Sequence, residues 1–164
     1  MMNRFLLTLV FIMPFIISPH LQALEFSCDF EEVHSNGTVN QGVVLLKKDK
    51  LRYEYHNDDL FIIFVEGEET YLFDKKTNTS KNIKNNLDAI QIIMKLANQF
   101  PDIKKNFKEK DTHIKIELNS LNNFIKRISI DSKRARLSLY LKNCILDKPI
   151  NNIFFKFNPV FEYR

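Results

Sequence analysis

Glycine is scarce in this chain and tryptophan is missing. Three glycines among 164 residues leave no G-x-G-x-x-G element and no glycine-rich loop to cradle a phosphate. No G-x-S-x-G is present, so the strand-turn-helix nucleophile of many hydrolases is not expected. Zinc would call for closely spaced ligands such as H-x-x-x-H or C-x-x-C, and neither occurs. His34, His56 and His113 stand apart, and the fourth histidine, His20, lies in the N-terminal segment. The acidic pairs Glu31-Glu32, Asp58-Asp59 and Glu68-Glu69 fall at turns or strand ends and read as solvated charge. No charge of one sign dominates. The 24 basic and 20 acidic residues leave a net +4 spread along the chain, without the dense basic face and interleaved aromatics of a nucleic-acid binder. These shortages argue against an enzyme, a cofactor, a metal centre and a nucleic-acid partner.

Long apolar runs are confined to the start. Arg4 is the only charge in residues 1–23, Phe5–Ile17 is almost wholly apolar, and Leu21-Gln22-Ala23 ends in a small residue. That is the layout of a secretory signal peptide. Pro14 and Pro19 interrupt it, and it falls short of the roughly 20 apolar residues of a comfortable span. The expected mature chain, residues 24–164, fits a single domain. Export bears on the two cysteines, because an oxidising compartment favours pairing of Cys28 with Cys144. Two free thiols, or a lipidated Cys28, are the alternatives. Fifteen phenylalanines and five tyrosines fit either an AT-rich genome or a large apolar cavity.

Apolar periodicity divides the mature chain into strands, one helix and more strands. Phe26, Cys28 and Phe30 alternate with polar neighbours, as do Leu51, Tyr53 and Tyr55. Asn36-Gly37 marks a hairpin turn. Gly42–Leu46 is a short apolar strand, and Leu60–Val65 is apolar on both faces, which predicts cover on both sides. Glu66-Gly67-Glu68 turns into a strand at Thr70–Phe73. Five such strands suggest an antiparallel meander. Over Leu87–Phe100, Asp88, Gln91, Lys95 and Asn98 form one narrow polar stripe beside a wide apolar arc, the pattern of a helix. Asn85 or Asn86 is the candidate cap, and Pro101 the stop. Asp102–Lys110 reads as a loop or a frayed second helix. Strand patterns resume at Ile114–Leu118, Phe124–Ile130 and Ala135–Leu141, with a last strand expected at Ile153–Phe157.

The ordered set Phe26-Ser-Cys-Asp-Phe30-Glu-Glu, Gly42-Val-Val-Leu-Leu46, Leu51-Arg-Tyr-Glu-Tyr55, Val65-Glu-Gly67-Glu-Glu-Thr-Tyr-Leu-Phe73-Asp74 and Ile153-Phe-Phe-Lys-Phe157-Asn-Pro159 resembles the outer-membrane lipoprotein carrier family, the LolA-like proteins. The resemblance implies an α+β fold, an unclosed antiparallel β half-barrel with a helical lid inside its concave face. It implies a periplasmic monomer that holds lipoprotein acyl chains in an apolar cavity and ferries them from the inner to the outer membrane. The partners would be lipoproteins, an inner-membrane lipoprotein-release transporter and an outer-membrane receptor. Strand parity offers Leu45, Tyr53, Phe64, Tyr71, Ile93, Leu96 and Leu139 as lining, without saying which sheet face is concave. Lys48, followed by Asp49 where the family has proline, and Arg52 are candidates to steer a partner or hold the lid. Other readings are an envelope sensor or adaptor that binds a protein on the same half-barrel, and a hydrolase whose site is assembled only in three dimensions.

Overall fold

Residues 24–83, 88–133 and 136–156 are described by the computed structural model. The signal-peptide segment, the cap at Asn85 or Asn86, Ala135 and the closing residues 157–159 lie outside them. Six strands come first: β1 (Glu25–His34), β2 (Val39–Lys47), β3 (Lys50–Tyr55), β4 (Ile62–Glu66), β5 (Glu69–Asp74) and β6 (Thr79–Ile83). Helix α1 (Asp88–Gln99) follows, then β7 (Asn106–Glu109), β8 (Thr112–Leu118), β9 (Ile125–Asp131) and β10 (Arg136–Leu146). They form one ten-stranded antiparallel sheet in the order β6-β5-β4-β3-β2-β1-β10-β9-β8-β7, with β6 and β7 as free edges. Every neighbouring pair but one joins strands consecutive in sequence. The exception is β1 with β10, which sews the first strand to the last.

Side-chain alternation gives the sheet two different faces. On the helix side Phe26, Phe30, Leu46, Leu51, Tyr53, Val65, Ile114, Ile128, Leu139 and Leu141 share one core with Ile90, Ile92, Ile93, Leu96 and Ala97 of α1. The strand residues in that core come from seven of the ten strands. On the opposite face Ile62, Phe64 and Phe73 form a second cluster with Tyr71. The two-sided burial expected for Leu60–Val65 holds from Ile62 onward, with Ile62 and Phe64 in one core and Ile63 and Val65 in the other, whereas Phe61, ahead of the strand, is 44% exposed. Gln91, Lys95 and Asn98 of α1 face outward, as the helical period requires, and Lys95 pairs with Glu109 of β7 at 2.8 Å.

Three readings of the sequence are corrected. The segment expected as a loop or frayed helix, Asp102–Lys110, contains strand β7. A sixth N-terminal strand, β6, adds to the five expected. The last strand expected at Ile153–Phe157 is replaced over its described residues: Asn152–Phe155 forms a short 3-10 helix, capped where the Asn151 side chain accepts from the Ile153 amide at 3.0 Å. Two β-bulges shift the parity of later strands. One lies between β8 and β9, where Glu117 faces Arg127 but Leu118 faces Ile125. Lys126 is the extra residue there and stands outside, while Ile125 and Ile128 both point inward. The other lies opposite Cys28, where Asn143 takes φ 50° and returns Cys144 to the inner side.

Candidate functional site

Cys28 and Cys144 are joined in a disulfide across the seam of β1 and β10. Beside that seam the seven lining candidates separate into two groups. Tyr53, Ile93, Leu96 and Leu139 all belong to the core that the sheet shares with α1 and have no solvent exposure. Leu45, Phe64 and Tyr71 project from the other face. The structure therefore brings four of them together, Ile93 and Leu96 from α1 with Tyr53 and Leu139 from the sheet, and leaves three outside that core. Lys48 occupies the β2–β3 turn with φ 55° and lines neither region.

The helix-side core ends in a polar group that corrects a further reading: Glu31-Glu32, expected as solvated charge at a turn or strand end, lies within β1, and its Glu32 is buried because its parity turns it inward. Glu32 follows Phe26, Cys28 and Phe30 in inward parity and is only 4% exposed. Its two carboxylate oxygens accept from Tyr53 Oη at 2.7 Å and Tyr55 Oη at 3.0 Å. His34 Nε2 lies 3.5 Å from the same carboxylate and 3.2 Å from Asn40 Nδ2. A buried carboxylate survives in such a place because its oxygens are satisfied. Burial, and then the Glu32 charge, push both phenols well above the usual tyrosine range. Phe30 stacks on Tyr53 with ring centroids 3.9 Å apart and meets Tyr55 edge-on. Across the strands Phe30 faces Gly42, and a Cβ at Gly42 would come within 2.0 Å of the Glu54 carbonyl oxygen and 2.5 Å of the Phe30 ring.

The opposite face carries an open groove of about 630 Å³, within the roughly 300–1,000 Å³ of small-molecule sites. Its floor comes from β1, β2 and β3 through Ser27, Val43, Leu45, Arg52 and Glu54; its wall comes from Ile145 and the strap that follows β10, Lys148–Phe154. The strap is held by charged side chains. Lys47 Nζ donates to the Ile150 carbonyl, Glu25 accepts from the Ile150 amide at 3.1 Å, and Arg52 Nη1 donates to the Phe154 carbonyl at 3.1 Å. Arg52 is 6% exposed. It meets Glu54 through Nε at 2.9 Å and Nη2 at 2.6 Å, and it lies over the Phe64 ring at 4.9 Å. Arg52 thus secures the strap, on the face away from α1. Among the described residues no group of three or more His, Cys, Asp or Glu side chains is placed to hold a metal.

No family model and no curated protein matches the sequence. Two solved structures superpose on most of it. An uncharacterized conserved protein from Thermus thermophilus shares 6% identity at a TM-score of 0.49, over 82% of this chain and 85% of that one. A LolA superfamily protein from Nitrosomonas europaea shares 9% identity at a TM-score of 0.48, over 83% of this chain and 91% of that one. Likeness at this level assigns neither a family nor a function, so the functional reading rests on the geometry above.

Proposed function

We propose that this protein is an exported, periplasmic carrier that shields the acyl chains of lipoproteins between the inner face of its sheet and α1, and ferries them from the inner to the outer membrane. The supporting observation is that α1 shares one buried apolar core with residues from seven strands. Every apolar side chain that α1 withdraws would be replaced by acyl chain. Ile90, Ile92, Ile93 and Leu96 are nearly or wholly buried, and at about 2 kcal/mol for each such side chain the helix gains roughly 8 kcal/mol from its seat. At about 0.8 kcal/mol per CH₂, some ten methylenes offset that loss. An acyl chain of ordinary length is therefore an even competitor for the space under the helix, as a load-and-release carrier requires. No bond needs to be made or broken.

Native mass spectrometry of the protein taken from its own periplasm tests this reading. Copurification of an acylated protein or its lipid, lost on delipidation, is the expected outcome. Recovery of the bare chain alone would sink it. A stable protein partner without lipid would instead support the adaptor reading.

A further inference from the structure

The groove on the face away from α1 is separate from the core that the carrier reading uses. It is open, whereas Tyr53, Ile93, Leu96 and Leu139 are sealed. Its wet boundary has a consistent character. Val43, Leu45, Ile145, Pro149 and Ile150 make an apolar trough. Arg52 and Glu54 neutralise each other in the floor at 2.6 Å, so they contribute no net charge. Of the titratable lining, His56 and Lys148 remain, both groups that can carry positive charge; the exposed ammonium of Lys148, at the start of the strap, has no hydrogen bond or ion pair among the described residues. A half-exposed isoleucine, Ile145 at 51%, forms one lip of the same trough.

A trough of this volume with one unpartnered ammonium on its wall is complementary to a molecule that is apolar along its length and carries one negative charge. We infer that the outer groove binds a free monoacyl carboxylate, a fatty acid, with its chain along Val43, Leu45 and Ile145 and its carboxylate at Lys148 Nζ. Transfer of the chain from water contributes about 0.8 kcal/mol per CH₂, and the charge-assisted contact adds orientation. This inference stands on the groove alone and is independent of whether α1 opens.

The test uses the full exported chain after delipidation, titrated with cis-parinaric acid and, separately, with its methyl ester, and competed with palmitate. Saturable binding of the acid, displaced by palmitate, with a one-site component lost when the groove is altered, is expected. Ile145→Asp, at a half-exposed position that leaves the core untouched, should weaken both probes at least tenfold. Lys148→Glu should weaken the acid about tenfold, close to 1.4 kcal/mol, and change the ester less than twofold. Leu121→Ser, at the distant β8–β9 turn, should change neither. Unaltered binding by Ile145→Asp, or absence of saturable binding, overturns the site. Equal loss of acid and ester on Lys148→Glu overturns the carboxylate contact.

Discussion

Single residues set how closely the sheet layers approach. Gly42 is required by distance, since a methyl there would strike both the Glu54 carbonyl and the Phe30 ring. Gly42→Ala should therefore cost about 1–3 kcal/mol, the usual range for forcing atoms into a packed site, read as a lower urea midpoint with an unchanged slope. An equal midpoint would show that the strands yield. With so few glycines, left-handed positions fall to Lys48, Asn78, Lys110, Asn123 and Asp147 outside the strands' regular pairing and to Asn143 at the β10 bulge, which accept a local backbone cost. The Glu32 group makes stability depend on alkaline pH. Tyr53 and Tyr55 are held neutral in the folded chain, whereas an unfolded tyrosine ionises near pH 10. The unfolded chain loses those protons first, so stability is intact below about pH 10 and declines as pH rises beyond it. Tyr55→Phe should flatten that decline in urea midpoints measured from pH 8 to 11, while lowering the pH 8 value by about 1 kcal/mol through the lost hydrogen bond. Parallel pH curves for the two proteins would refute the assignment.

Elements are legible in proportion to the apolar pattern they carry. β1, β3 and α1 are strongly periodic, and each is readable within a few residues of its observed ends. β6, Thr79–Ile83, is exposed at four of its five positions, and β7 has one half-buried side chain, Phe107. Both are edge strands, and neither needs an apolar face. Their lysines, Lys81 and Lys108, suit edges that must not pair with another chain. Lys126 looks out of phase because a bulge, invisible to period-two counting, moves it outward. The outer groove is illegible for a different reason: Arg52 and Phe154 meet across 102 positions, and the strap exists only once the sheet does. The 3-10 helix at its end rests on a local Asn151 cap rather than on periodicity. Because Lys47 and Glu25 hold Ile150, Lys47→Met should speed amide exchange in residues 148–156 severalfold without altering the protected amides of β2 and β3. Unchanged exchange in the strap would show that Glu25 and Arg52 suffice.

At the scale of the whole molecule, ten strands depend on one long-range seam. The disulfide there closes a separation of 116 residues, for which the chain-entropy estimate is about 4–5 kcal/mol. Cys144→Ser, or reduction of the native chain, should lower unfolding stability by an amount of that order, seen as a reduced urea midpoint. Equal midpoints with and without reductant would show that strand pairing alone holds the seam. The same topology bears on the chain's birth. β1 is the first strand to be made and lies inside the finished sheet, between β2 and β10. At roughly 5–20 residues per second, its second partner arrives on the order of ten seconds after it does. During that interval the nascent chain has an unpaired edge on β1 beside the apolar face of Phe26 and Phe30 and an unpartnered Cys28 thiol, so an escort for the early meander would be useful until residue 146 is delivered.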